Sequence, residues 1–283
     1  MKYGLNLLLW TDRMHEGLVP ICESVKSLGY DGVEMPIFEP DQKLYAEWGR
    51  KLDGMGLART AVTVRGAGDN PISPSASVRA AAVEAMKKTL DCCHAAGVKT
   101  LVGPFHSAIG EFTGKGPTED EFKWGVETMR KVAEHAASAG VMLATEYLNR
   151  FENYFLTCVE QTVKFVQAVD HPSCRMMYDT FHANIEEKDL AKAIRAAAPW
   201  SVLVHISEND RSIPGTGHVH WDETFDALAA AKYDGWMVVE AFGLALPNIA
   251  AATKIWRTMF PSEQQLAADS IAFMKKHVAK RWK

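Results

Sequence analysis

Short apolar runs rich in β-branched residues alternate along this chain with longer stretches in which apolar positions recur every three to four residues. The short runs are YGLNLLLW, YDGVEMP, ARTAVTV, KTLVGP, VMLATEY, CRMMYD, VLVHIS and GWMVVEAF, in that order. Segments of helical period lie between them, such as VPICESVKSLG, YAEWGRKLDGMG, VRAAAVEAMKKTLDCCHAAG, EDEFKWGVETMRKVAEHAASAG and CVEQTVKFVQAV. Length and β-branched content mark the short runs as strands, and a 3.6-residue period marks the others as amphipathic helices. Several helical segments end in Gly, which accepts the left-handed backbone of a helix stop. Strand followed by helix, repeated, is the signature of a parallel sheet.

Eight such units in 283 residues, with no Pro/Gly/Ser-rich linker between them, predict one α/β domain over residues 1–283. Its expected architecture is a single (β/α)₈ TIM barrel with an extra C-terminal helix. The main alternative is a doubly wound open sheet. That fold calls for a Gly-rich turn after its first strand, and LLLWTDRMHEG holds no G-x-G-x-x-G.

Composition narrows the function classes. A hydrophobic content of 47% suffices for a sizeable core, and a net charge of −4 provides no electrostatic footprint for nucleic acid. The basic ending KKHVAKRWK reads as a solvated helix end. No stretch has the eighteen or so consecutive apolar residues of a membrane span, and the opening segment is followed by acids rather than a small-residue cleavage site. The expectation is a cytoplasmic protein with neither nucleic acid nor membrane as partner. Cys22, Cys92, Cys93, Cys158 and Cys174 are odd in number and irregular in spacing, which fits reduced thiols better than a disulfide framework. Cys92, Cys93 and His94 are adjacent on a helical segment, so their side chains point to different sides and make a poor metal site.

A barrel places its active site at the C-terminal ends of its strands. The fifth strand ends in Glu146, the sixth in Asp179, the seventh in His205 and the eighth in Glu240, at separations of 33, 26 and 35 residues. Each separation is about one βα unit, so the four side chains should meet on one rim. Three carboxylates crowded together repel one another and take up protons unless a cation neutralises them. A mainly oxygen donor set with one imidazole favours Mn²⁺, Mg²⁺ or Co²⁺ over a sulfur-rich zinc site, with zinc still open. Each residue has a plainer reading taken alone: an ion pair for Glu146, a helix cap for Asp179, a satisfied core imidazole for His205, a strand-end cap for Glu240. Coincidence on four consecutive strand ends argues for the metal.

Arg150 and Glu152 follow Glu146, His182 follows Asp179, and Glu208 and Arg211 follow His205. They should surround whatever sits on the metal, although Arg150 and Glu208 also suit an ordinary loop ion pair. In YDTFHANIEE the trailing Glu186 and Glu187 read as a charged start to the next helix. His218 and His220 in GTGHVHW read as a surface or lid turn.

EYLNRFEN, YDTFHANIEE, HISENDR, PGTGHVHWDETFDAL and YDGWMVVEAF, in that order, resemble the ketose 3-epimerases: the D-tagatose, D-allulose (D-psicose) and L-ribulose 3-epimerase family of the xylose isomerase-like barrels. The resemblance runs from YGLNLLLW through KIWRTMF to the last helix. It implies that Glu146, Asp179, His205 and Glu240 bind a divalent cation, Mn²⁺ foremost with Co²⁺ or Mg²⁺ as alternatives. It also implies that Glu152, His182 and Arg211 contact the sugar near its first two carbons, and that Glu146 and Glu240 act as acid and base on opposite faces of C3. A metal on O2 and O3 of an open-chain ketose would polarise the C2 carbonyl and stabilise a cis-enediolate when the C3 proton leaves. The family suggests a homodimer or homotetramer.

The chain departs from the family pattern at Ala183 for a methionine, Ser207 for a glycine, Ala241 for a proline and Asn6 for a tyrosine found in some members. VTVRGAGDNPIS diverges from the usual third-strand loop, and GPFHSAIGEFTGKG is shorter than in some relatives. These positions are expected to border the far end of the sugar, with Trp10 and Phe242 as apolar walls. The competing readings are a related sugar or hydroxypyruvate isomerase or an inosose dehydratase on the same barrel, and an AP endonuclease. The last needs more metal-binding histidines and a basic groove than this acidic chain has.

Overall fold

Parallel pairing passes without a break around the sheet and closes β8 onto β1. The structure, a computed structural model, describes residues 1–282. Its strands are β1 (Lys2–Asn6), β2 (Gly32–Pro36), β3 (Ala58–Val62), β4 (Thr100–Gly103), β5 (Met142–Thr145), β6 (Cys174–Asp179), β7 (Ser201–Ile206) and β8 (Trp236–Val239). Ten α-helices accompany them: α1 (Val19–Ser27), α2 (Gln42–Gly54), α3 (Ala76–Ala96), α4 (Glu119–Ala139), α5 (Val159–Val169), α6 (Thr180–Glu186), α7 (Leu190–Ala197), α8 (Trp221–Ala230), α9 (Pro247–Thr253) and α10 (Glu263–Arg281). The (β/α)₈ barrel with an additional C-terminal helix is therefore the observed fold, and the open-sheet alternative is set aside. Among the described residues no helix is long and apolar enough to cross a membrane.

The two-residue period of a strand sorts neighbouring side chains into two cores. Ala61, Leu101, Leu143, Met176, Val204 and Met237 face the surrounding helices, where they pack with residues such as Trp48 and Phe165. Their immediate neighbours Val62, Val102, Ala144, Met177, Leu203 and Val238 meet inside the barrel. This parity decides the direction of every polar strand residue. Glu34 lies between outward Val33 and Met35, and His205 between outward Val204 and Ile206, so both must point inward. Glu146 and Glu240 each stand two residues beyond an inward residue and share that direction.

Local signals set the helix ends. Thr118 and Glu121 form a capping box at the start of α4, while Gly97 and Gly140 close α3 and α4 in left-handed backbone. Gly103 is required at the end of β4: its φ is 130°, and a Cβ there would lie 2.1 Å from the Thr63 carbonyl oxygen. α10 packs against the outside of the barrel, where Leu266, Ala267 and Met274 are buried. Tyr30 donates to the Ala267 carbonyl at 2.8 Å, and the Trp221 and Phe273 rings meet edge to face at 5.1 Å. α9 lies over the barrel mouth, with Ala250 and the following Ile255 joining the interior cluster.

Candidate active site

β5 and β8 end one residue earlier than the apolar runs suggest, yet the ladder carries on past them. The Glu146 N–H donates to the Gly103 carbonyl at 3.1 Å and the Glu240 N–H to the Ile206 carbonyl at 3.2 Å. Glu146, Asp179, His205 and Glu240 are all buried, and one donor atom from each lies within 4.8 Å of the others. Metal–oxygen bonds of about 2.1–2.3 Å place octahedral donors about 3 to 4.5 Å apart, so closure around a cation needs only a slight contraction.

The imidazole supplies the most direct test of fit. His205 donates from Nε2 to Glu34 at 2.8 Å, which leaves its lone pair on Nδ1. Nδ1 is buried without a hydrogen-bond partner. It faces Glu240 Oε1 at 3.4 Å, Asp179 Oδ2 at 3.6 Å and Glu146 Oε1 at 4.0 Å. An inward lone pair among three carboxylates is the donor set a divalent cation requires. Burial opposes charge on the ring, but Glu240 and Glu34 hold its proton affinity well above the usual histidine range, so without a cation the Nδ1 lone pair takes up a proton in the place that a metal would fill.

Asp179 serves two structures at once. Its Oδ1 accepts the Phe181 N–H at 2.6 Å, capping α6, while Oδ2 turns to the cluster. Burial disfavours its charge, and His182, Arg211 and His205 together hold its carboxyl well below the usual carboxylate range. Burial and the Glu240 charge push the Glu146 carboxyl well above that range. The environment thus separates the two acids.

Arg211 sits in left-handed backbone at φ 60°, an uncommon state for a side-chain-bearing residue. Its Nη1 donates to Glu240 Oε2 at 2.6 Å and to Ser207 Oγ at 3.0 Å, and lies 3.4 Å from Asp179 Oδ2. The Phe181 and Phe242 rings flank the guanidinium at 3.7 and 5.1 Å. His182 Nδ1 accepts the Asn149 N–H at 2.9 Å, so the neutral ring carries its proton on Nε2, 3.6 Å from Glu146. Burial holds this histidine's pKa down to about 3, against the pull of Asp179. Nη2 of Arg211 lies 3.2 Å from the same Nε2, which brings two donors to one place that an oxygen acceptor would satisfy. Asn149 also donates to Glu152 Oε1 at 2.7 Å, and burial raises the Glu152 carboxyl although Arg211 and Asn149 work against it.

Above these residues opens a cavity of about 370 Å³, within the usual range for small-molecule sites. Glu146, Glu152, His182, Arg211 and Glu240 form its polar end; Leu8, Phe38, Val62, Phe242 and Ile249 are apolar walls, with Arg65 beside them.

Several sequence expectations change. Arg150 and Glu208 do not pair: Arg150 is exposed and meets Glu186, and Glu208 accepts from Gly215 N–H at 2.7 Å, Val219 N–H at 3.0 Å and Trp221 Nε1 at 2.8 Å. Glu208 therefore organises its own loop. Glu186 and Glu187 close α6 instead of opening the next helix, which Asp189 caps, and Glu187 accepts the Val159 N–H at the start of α5. His218 and His220 are exposed, as a surface turn requires. Phe242 reaches the cavity, whereas Trp10 lines a separate recess between α1 and α10. Asn6 and Ser207 do not border the far end of the cavity: they touch Glu240 and Arg211 at its charged end.

The missed members are Glu34, which accepts from His205, Thr60, which donates to Glu34 at 2.8 Å, and Arg65 on the cavity wall. For Glu34 and Thr60 the signal was the inward parity of an otherwise apolar strand. The loop residue Arg65 carried no such signal.

Comparison with known proteins bears on this geometry. The family described as "Xylose isomerase-like TIM barrel" matches residues 22–277. A D-psicose 3-epimerase from Ruminiclostridium cellulolyticum is 31% identical over 95% of this chain and 96% of its own length. An L-ribulose 3-epimerase from Methylomonas sp. is 28% identical over 97% of each chain. A solved L-ribulose 3-epimerase superposes with a TM-score of 0.94 at 27% identity, covering 99% of this chain and 95% of that one. The chain belongs to the xylose isomerase-like TIM barrel family and, within it, to the ketose 3-epimerases.

Proposed function

We propose that this protein is a carbohydrate epimerase, working as one domain, that inverts free ketoses at C3. The observation that carries this reading is the placement of Glu146 and Glu240: two buried carboxylates just past the ends of β5 and β8 flank Asp179 and His205 on the intervening strands. Inversion at carbon needs a base on each face of the reacting centre, and a sugar lying across the cluster would have one carboxylate on each side. Glu146, Asp179, His205 and Glu240 would hold the divalent cation, Mn²⁺ foremost and Co²⁺ or Mg²⁺ as alternatives. Bound there, it would supply Lewis-acid polarisation of the ketose C2 carbonyl and so acidify the C3 proton.

The chain's own residues perform the remaining steps. One of Glu146 and Glu240 removes the C3 proton, the sugar passes through a cis-enediolate, and the other returns a proton to the opposite face. The Arg211 guanidinium and the His182 Nε2–H, 3.2 Å apart, offer two donors to an oxygen at the carbonyl end of the ketose. Glu152 accepts from a sugar hydroxyl beside them. Fixing that end keeps C3, and not C1, between the two carboxylates, which separates epimerisation from aldose–ketose isomerisation. The Phe181 and Phe242 rings keep the guanidinium in place and exclude water.

A small-molecule ketose is accordingly the substrate. D-psicose and L-ribulose 3-epimerases among the relatives support this class. A cytoplasmic setting belongs to the same reading, and the five free thiols fit it.

The test is conversion of D-fructose, D-allulose, D-tagatose and L-ribulose by protein stripped of metal and reloaded with Mn²⁺, with products separated by chromatography. At least one ketose should yield its C3 epimer, and the stripped protein should yield none. Absence of a C3 epimer from all four overturns the proposal.

A further inference from the structure

The inward face of β2 carries a fourth buried carboxylate that the acid–base chemistry does not use. Glu34 is fully buried in the barrel, in register with Asn6 on one side and Thr60 on the other. An unpaired carboxylate there would be costly, and this one is satisfied by donors alone. Oε1 accepts from His205 Nε2 at 2.8 Å and from Asn6 Nδ2 at 3.0 Å, and Oε2 accepts from the Thr60 hydroxyl at 2.8 Å.

Two consequences follow from these bonds. An imidazole that donates from Nε2 presents its lone pair at Nδ1, the atom that faces Glu146, Asp179 and Glu240. Without Glu34 the ring could carry its proton on Nδ1 and hydrogen-bond a carboxylate of the cluster, which would remove it as a donor to a metal. The second consequence runs through Asn6. Its amide oxygen accepts the Leu8 N–H at 2.9 Å, so its NH₂ must face the carboxylates. That NH₂ divides its hydrogens between Glu34 Oε1 at 3.0 Å and Glu240 Oε1 at 3.2 Å. Glu240 is thereby tied to the anchor that fixes His205.

We infer that Glu34 is a positioning residue: it sets the tautomer of His205 for metal ligation and, through Asn6, fixes the carboxylate plane of Glu240. This rests on the function proposed above, because it concerns the same cluster. Carboxylates that orient metal-binding imidazoles are worth about 10- to 100-fold in metal affinity.

The experiment compares wild-type protein with Glu34→Gln by titrating Mn²⁺ calorimetrically and by reading the His205 ring nitrogens through ¹⁵N NMR of the Mg²⁺-loaded form. The expected result is Mn²⁺ affinity weaker by about 10- to 100-fold, with the His205 ring no longer held solely as the Nε2–H tautomer. Equal affinity and an unchanged tautomer in Glu34→Gln overturn the inference. Wild-type protein that binds no Mn²⁺ defeats instead the function on which it rests. If Glu34→Gln fails to fold, Thr60→Val and Asn6→Ala each remove one donor to Glu34 and leave the carboxylate in place. Both should weaken Mn²⁺ binding by less than tenfold, and unchanged affinity in both overturns the inference.

Discussion

Arg211 places Nη1 2.6 Å from Glu240 Oε2, so the guanidinium of the loop after β7 is bonded to the carboxylate at the end of β8. Both residues are buried, and an ion pair in that setting is worth most as a constraint: removing one partner strands the other charge. Arg211→Ala should therefore cost about 3–5 kcal/mol in urea unfolding. Arg211→Lys should keep most of that stability while losing the planar fork that meets Glu240 and Ser207 together, and its kcat should fall at least tenfold. Equal turnover in Arg211→Lys would show that charge alone is needed at this position.

Asp179 divides its two oxygens between a helix cap and the cluster, which allows its roles to be separated. Asn caps a helix about as well as Asp, so Asp179→Asn should keep the α6 cap, and any loss of stability in the absence of metal should be that of the missing charge beside Arg211. Its Mn²⁺ affinity should drop sharply, because the negative oxygen is gone. Wild-type protein should gain about 2.7 kcal/mol at a metal concentration one hundred times its Kd, and the variant should gain much less under the same conditions. Equal gains by thermal melting with and without Mn²⁺ would remove Asp179 from the ligand set.

His106 and His182 make acid stability asymmetric. Burial lowers each pKa to about 3, so in the folded protein both stay neutral far below the ordinary histidine value of about 6.5. Between these values the unfolded chain binds protons that the folded chain refuses. Stability is therefore fully present above pH 6.5 and falls as pH drops towards 3, by up to about 1.4 kcal/mol per pH unit for each histidine. His106, whose Nδ1 lies 2.9 Å from Ser107 Oγ, stands outside the cluster and is the cleaner probe. Urea unfolding of His106→Asn at pH 7.0, 5.5 and 4.5 should show a slope smaller by about one proton. Identical slopes would mean that His106 takes up its proton in the folded protein too.

The barrel was legible because one signal repeats eight times: a short apolar run, then a helical period. The four cluster residues were legible for a related reason, since a charged side chain at the end of an apolar strand has few places to go. Glu34 escaped because YDGVEMP reads simply as a strand, and only the parity set by outward Val33 and Met35 shows its acid pointing inward. The partners of Glu208 were hidden for a different reason. Its acceptors are filled by backbone N–H groups of its own loop, which no charge pattern encodes, and Arg150, the partner that an ordinary loop ion pair would supply, meets Glu186 across the rim. Asn6 and Ser207 were placed at the wrong end of the cavity because a departure from a motif marks a position without giving its depth in the barrel.

The two-base arrangement also predicts how single variants behave. Glu146→Gln and Glu240→Gln should each lower turnover by about 10²- to 10⁴-fold, the usual worth of a positioned general acid or base. The double variant should be scarcely worse than either single one, because residues that act as a unit do not contribute additively. Multiplicative losses in steady-state kinetics would separate the two carboxylates into independent roles.

The central claim is that a proton is exchanged at C3 between two carboxylates on opposite faces. Its most direct measurement is proton NMR of Mn²⁺-activated turnover in D₂O, with the metal chelated before the spectrum is taken and D-fructose, D-allulose, D-tagatose and L-ribulose supplied in turn. The prediction is deuterium at C3 of the epimeric product and none at C1. No deuterium at C3 from any of the four ketoses, or label appearing at C1, would contradict it.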